Sequence, residues 1–125
     1  MREIKFRIFE EKTGKVERVL AIDWFFKTAI TLKDPHGVGF RDKDYLLMQY
    51  TGIKDKNGVE IYEGDIIEFL THDRETAMAH IVFERLAFKA LDTEDECYEY
   101  DFDDLTDIEV IGNIYENQEL LNENT

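Results

Sequence analysis

Residues 49–65 limit the possible folds more than any other stretch, because they place Gly52, Gly58, Gly64 and an Asn57-Gly58 pair in one short segment. Asn-Gly favours a type I′ turn, whose two central residues both need positive φ, which asparagine tolerates and glycine accepts freely. Glu63-Gly64-Asp65 predicts a second turn. It stands directly before Ile66-Ile67-Glu68-Phe69-Leu70, whose β-branched and aromatic content reads as a buried strand. Two tight reversals ahead of an apolar strand start a sheet. The segment is structural in character and reveals no biochemical activity.

The flanking sequence has the same β character. Ile4, Phe6 and Ile8 alternate with Lys5 and Arg7, the period of a half-buried strand, and Lys12-Thr13-Gly14-Lys15 returns the chain into a second strand over residues 16–22. The cations of this hairpin are interspersed with Glu3, Glu10, Glu11 and Glu17, which fits a charged outer face better than a phosphate-binding one. Asp23-Trp24-Phe25-Phe26 is either core or an exposed protein-contact patch, with Trp24 assigned to the core, and residues 28–33 read as a third strand. Asp34-Pro35-His36-Gly37-Val38-Gly39 combines the single proline with two glycines and is the candidate boundary where the chain changes sheets.

Residues 45–50 read as a strand or a helical turn, and residues 71–79 as a polar loop. Residues 80–85 and 86–91 follow as paired strands. Tyr98, Tyr100 and Phe102 alternate with Glu99, Asp101 and Asp103, which predicts an aromatic face toward the core and an acidic face toward water. Residues 108–115 form the closing strand, with Gly112 at a bulge or bend, and Asn117 caps a final helical turn.

Composition narrows the function classes. A chain of 125 residues with 43% hydrophobic content forms one compact domain or two small β units. The single cysteine, Cys97, leaves no partner for an internal disulfide, and a reducing, cytoplasmic setting is the default expectation. No apolar run reaches the ~18 residues of a membrane span, and a net charge of −14 opposes binding to anionic lipid. The charge is concentrated: residues 90–125 hold 13 acids and no Lys or Arg, whereas residues 1–89 hold 16 acids and 15 bases.

Chemistry-bearing residues do not converge in the sequence. Cys97 is surrounded by Glu94, Asp95, Glu96 and Glu99, a field that raises a thiol pKa when nucleophilic catalysis needs it lowered. His36, His72 and His80 show neither ligand spacing nor a nucleophile, base and orienter order. Asp101, Asp103 and Asp104 do not supply the roughly 6–8 converging oxygens that calcium takes. Asp55-Lys56-Asn57-Gly58 lacks both the glycine position and the closing acid of a calcium loop. No catalytic residue, cofactor or metal ligand is assigned.

Three segments, Met1-Arg-Glu-Ile-Lys-Phe-Arg7, Met48-Gln-Tyr-Thr-Gly-Ile-Lys-Asp-Lys-Asn-Gly-Val-Glu-Ile-Tyr-Glu-Gly-Asp-Ile-Ile67 and Glu109-Val-Ile-Gly-Asn-Ile-Tyr-Glu-Asn-Gln-Glu-Leu-Leu121, resemble the YopX family of phage and prophage proteins in content and order. Two departures stand at Ile8-Phe9-Glu10, where the family often has an aromatic-acid pair, and at Gln118, where it often has proline. Neither touches the central segment. The resemblance implies a small, mainly β protein encoded by a phage or prophage, whose C-terminal part looks like an SH3-type barrel, with no known reaction, cofactor or catalytic residue.

The combined expectation is a mainly β fold: an N-terminal β-hairpin unit over residues 1–45, then an SH3-like small barrel over residues 46–125 ending in a short helical turn. The leading functional expectation is a non-catalytic interaction module that contacts a host or phage protein through a barrel groove or through Trp24, Phe25 and Phe26. One alternative is an acidic DNA mimic. Its outward acids on a strand would stand roughly 6.8 Å apart, about twice the ~3.4 Å spacing of phosphates along a DNA strand. Another is a metal-dependent enzyme with a site assembled from distant residues. Charge disfavours direct nucleic-acid binding, and uncovered edge strands make homo-oligomers plausible.

Overall fold

The computed structural model describes residues 4–40, 45–84, 87–95 and 98–121. The chain forms two compact units, Met1–Tyr50 and Thr51–Thr125.

In the first unit, β1 (Phe6–Glu10) pairs antiparallel with β2 (Lys15–Arg18), joined by a turn in which Gly14 takes φ 69°. On its other side β1 pairs with the first half of β6 (Tyr45–Lys54), in the register Ile8 to Leu47. Residues 45–50 are therefore strand throughout. Because β1 is central, Ile8 and Phe9 are both buried, and the simple alternation read from Ile4 onward ends there. Ile4 lies before the strand and is 72% exposed.

Residues 16–22 do not make one strand. The chain leaves β2 at Arg18 and enters a second sheet, in which β3 (Ala21–Asp23), β4 (Thr28–Ile30) and β5 (Val38–Gly39) lie in that order. Val19 N–H bonds to Phe6 O at 3.1 Å and Leu20 N–H to Ile30 O at 2.8 Å, so neighbouring residues serve different sheets. The Pro35 loop joins β4 to β5 within this sheet, and the change of sheet falls after Gly39, at the end of the boundary stretch read from the sequence. The third strand stops at Ile30 because Thr31 turns inward, its buried Oγ1 accepting from Asp34 N at 3.0 Å.

In the second unit, β8 (Asp65–Leu70), β9 (Thr76–Glu84), β10 (Ala87–Asp92) and β11 (Glu99–Tyr100) form a meander. The last strand, β12 (Thr106–Asn113), follows a 3-10 turn at Phe102–Asp104 and returns to pair with β8. This order, 11-10-9-8-12, is that of an SH3-type sheet curled into a half barrel. Its core is Ile61, Ile67, Phe69, Ala79, Ile81, Ala90 and Leu105, with Phe88, Tyr100 and Phe102 packed against it. Full burial of a side chain such as Phe69 contributes about 1.5–3 kcal/mol.

Two register shifts let β12 follow the curl, one between Thr106 and Glu109, where Asp107 takes φ 51°, and one between Val110 and Gly112. The sequence placed a bulge at Gly112, and the bulge adjoins it. The predicted loop at residues 71–79 is shorter than expected: Arg74 reverses the chain at φ 63°, and β9 already begins at Thr76. α1 (Gln118–Leu121) ends the described chain. Asn117 stands directly before it, as predicted, its carbonyl accepting from Leu120 N at 3.0 Å, while its side-chain Oδ1 accepts from Asn113 N at 3.1 Å.

Asn57-Gly58 reverses the chain by a different device from the one predicted. The Asp55 carboxylate accepts from Asn57 N and Val59 N at 2.8 and 2.9 Å, and Gly58 N bonds back to Asp55 O at 3.0 Å. That clasp keeps Lys56 and Asn57 right-handed, so only Gly58 takes positive φ, 82°. The loop is a three-residue turn with a glycine bulge linking β6 to β7 (Glu60–Tyr62).

Candidate functional site

The two aspartates of the central segment that are buried, Asp55 and Asp65, are structural. Asp55 is buried, and besides its two turn bonds its Oδ2 accepts from Val110 N on β12 at 3.0 Å. Burial alone pushes this carboxyl up, but the N–H groups of Val110, Val59 and Asn57, with Lys56 nearby, hold it below the usual carboxylate range. Asp65 is 1% exposed and accepts from Tyr62 N at 2.7 Å, closing the second turn around Gly64 at φ 88°. Gly64 is gripped on both sides, its N–H bonding to Ile81 O and its carbonyl accepting from Ile114 N, both at 2.8 Å. Thr51 Oγ1 donates to Ile61 O at 2.8 Å. Thr51, Asp55 and Asp65 thus each fix backbone.

The C-terminal acids also fold back on the chain. Asp92 Oδ1 accepts from Glu94 N and Asp95 N, while Oδ2 accepts the Tyr100 hydroxyl at 2.6 Å. Burial and the Asp92 partner raise the Tyr100 phenol. Asp101 Oδ1 accepts from Asp103 N at 3.0 Å at the start of the 3-10 turn. The predicted ladder of alternate outward acids is therefore broken after Tyr100, because the chain turns where the strand was expected to continue. Tyr100 packs edge-on against Phe69 at 4.8 Å and Phe102 lies against the core, but Tyr98 is 56% exposed. Cys97 lies outside the described residues.

His36 and His72 are exposed, His72 lying 3.5 Å from Asp73, and His80 is buried on β9. Among the described residues, no three His, Cys, Asp or Glu side chains are grouped to hold a metal ion, and no helix is long and apolar enough to cross a membrane.

The most unusual surface is the β3–β4 hairpin. Its last pair is Asp23 with Thr28, and the Asp23 Oδ1 atom accepts from Phe25 N at 2.9 Å and Phe26 N at 3.1 Å. This clasp turns the chain within four residues, and Lys27 completes the reversal at φ 56°. A hairpin tip has no interior, so Phe25 and Phe26 project into solvent, 84% and 68% exposed, their rings edge-on at 4.9 Å. Trp24 is 53% exposed, which corrects its assignment to the core. The indole is anchored on Phe6 and Phe40 at 5.8 and 5.9 Å, and Lys27 Nζ lies 5.6 Å from its centroid.

Beside Trp24 a cavity of about 460 Å³ is lined by Ile4, Lys5, Phe6, Arg18, Leu20 and Ile22, among others. Leu20 is 52% exposed and Leu32 85%. Sequence reasoning missed Ile4, Arg18 and Leu20 as parts of this surface. Ile4 reads as part of the first strand and Arg18 and Leu20 as part of the run 16–22, and the transfer between sheets at Val19-Leu20 brings them to one groove.

A mainly β chain with an SH3-type sheet, buried aspartates that fix backbone and an exposed aromatic hairpin defines the class: a small β scaffold with solvent-exposed aromatic residues at one hairpin tip. The chain belongs to the YopX family, whose model, described as YopX protein, matches residues 5–122. Protein EF1440 from Enterococcus faecalis, known from a crystal structure, is similar over 97% of this chain and 99% of its own, with 26% identity and a TM-score of 0.66. Protein yopX from Bacillus subtilis, known from an X-ray structure, is similar over 97% of both chains, with 20% identity and a TM-score of 0.65. No match is found among curated proteins.

Proposed function

We propose that this chain is a non-catalytic protein-interaction module of phage or prophage origin, working in the cytoplasm of a bacterial host, with Trp24, Phe25 and Phe26 as its contact. The observation that carries this reading is the Asp23 clasp, which holds two phenylalanines in water at a hairpin tip. Leaving them there forgoes about 1.5–3 kcal/mol of burial each, and aromatic anchors of this kind dominate binding energy at protein interfaces. Family membership is compatible with this reading and adds no reaction to it.

The test is an affinity capture from lysate of a lysogenic host, with the full chain and a Phe25→Ser/Phe26→Ser variant as baits. The reading predicts a reproducible partner that the wild type retains and the variant loses. Equal recovery by both baits, or no reproducible partner alongside turnover in a substrate screen, overturns it.

A further inference from the structure

Of the chain's asparagines, Asn57 alone is followed by glycine. An asparagine before glycine is the pair most open to intramolecular deamidation, because the next backbone nitrogen can reach the side-chain carbonyl with no Cβ in its way. Both residues are exposed, and nothing lies within 4 Å of where a Cβ on Gly58 would stand, so solvent reaches the pair. Yet the turn holds the reacting nitrogen elsewhere. Gly58 N–H donates to Asp55 O at 3.0 Å, and the Asp55 carboxylate grips the N–H groups on either side, Asn57 at 2.8 Å and Val59 at 2.9 Å. The clasp is itself tied to β12: Val110 N–H donates to the second Asp55 oxygen at 3.0 Å, and Lys56 N–H donates to Ile108 O at 2.9 Å.

We propose that Asn57 is a deamidation site latched by Asp55, and that its reaction, once it occurs, unfastens the turn from β12. The step needs only a solvent base and water. Gly58 N gives its proton to the base and attacks Asn57 Cγ; the N–Cγ bond forms, the Cγ–Nδ2 bond breaks, and ammonia leaves a cyclic imide. Water then opens the ring at either carbonyl, giving aspartate or isoaspartate at position 57. The latch opposes the first step twice. Gly58 N–H must leave the Asp55 carbonyl before its nitrogen can attack, and the amide anion then forms close to the Asp55 carboxylate, a like charge that disfavours it. The product sets a second carboxylate near Asp55, and its iso form has one more backbone atom between residues 57 and 58 than the turn holds. Both changes work against the bonds that Val59 and Val110 donate to Asp55.

The experiment incubates the full chain at mildly alkaline pH and follows residue 57 by peptide mapping and mass spectrometry. Protection is the ratio of the rate in guanidinium chloride, where the chain is unfolded, to the rate in buffer, so the intrinsic reactivity of each sequence cancels. The wild type should be protected about tenfold or more, the factor that one hydrogen bond to a charged group supports. Asp55→Asn, shown to be folded by far-UV circular dichroism, should lose most of that protection. Tyr100→Phe, which removes the bond to Asp92 away from the clasp, should keep it. In the wild type the rate should stay flat in urea below the unfolding midpoint, because opening the clasp exposes little surface; this measurement decides the matter even if Asp55→Asn does not fold. The deamidated chain, separated on anion exchange by its added charge, should exchange its Val110 N–H faster than the parent. A wild type that reacts as fast folded as unfolded, full protection in folded Asp55→Asn, or equal loss in Tyr100→Phe overturns the proposal. So does a rate that climbs with urea alongside global unfolding, or unchanged exchange at Val110.

Discussion

Replacing Asp55 with asparagine keeps the size of the side chain and removes its charge. In the wild type, one carboxylate oxygen accepts from Asn57 N and Val59 N, and the other from Val110 N, all within 2.8–3.0 Å. The amide orientation that preserves both turn bonds aims its NH2 group at the Val110 N–H, leaving one donor unsatisfied at a cost of about 1–3 kcal/mol. The two remaining bonds lose their ionic component, roughly 0.5 kcal/mol each. The expected loss is thus about 2–4 kcal/mol, a large share of the stability of a small domain. Urea unfolding followed by far-UV circular dichroism measures it, and amide exchange at Val110 N–H localises it.

The same substitution carries a pH signature. Because the folded Asp55 carboxyl lies below its ordinary value of about 4, its contribution is fully present above that value and is lost as pH falls through the lower folded value. The gap between wild type and Asp55→Asn should stay constant near neutrality and close in acid. A loss under about 0.5 kcal/mol, or a gap that widens on acidification, refutes the structural role assigned to Asp55.

Gly112→Ala should destabilise by about 1–3 kcal/mol, because a Cβ there would overlap Asn117 Oδ1 and approach Asn117 Cγ to 2.7 Å. Thermal unfolding of a Gly112→Ala/Asn117→Ala pair should recover part of that loss. Tyr100→Phe removes the 2.6 Å bond to Asp92, and urea unfolding should show a loss of about 1–2 kcal/mol. In an alkaline absorbance titration Tyr100 should ionise above the ordinary tyrosine value, its raised pKa keeping the Asp92 bond until pH passes that value. Phe25→Ser/Phe26→Ser should change thermal stability by no more than about 0.5 kcal/mol, as expected of residues in water.

Much of the scaffold was legible because it rests on local rules. Alternation and β-branched content located β8, β9, β10 and β12, and Gly64-Asp65 announced the turn that leads into β8. What escaped depended on groups distant in sequence. The type of turn at Asn57-Gly58 is set by Asp55, whose second oxygen is held by Val110 on β12. The break at Val19-Leu20 comes from partners at Phe6 and Ile30, invisible to a period-2 reading of residues 16–22. Trp24, Phe25 and Phe26 were legible as a candidate contact, but their exposure follows from Asp23 bonding to two backbone N–H groups. The groove that joins Trp24 to Arg18 had no local signal.

We propose the aromatic hairpin, and not residues 49–65, as the working surface. Its most direct test is fluorine NMR of the full chain carrying 5-fluorotryptophan, which gives a single resonance because Trp24 is the single tryptophan. On titration with the captured partner, that resonance should shift and saturate, while the backbone amides of residues 55–65 stay in place. A resonance that does not move while those amides do would contradict the account.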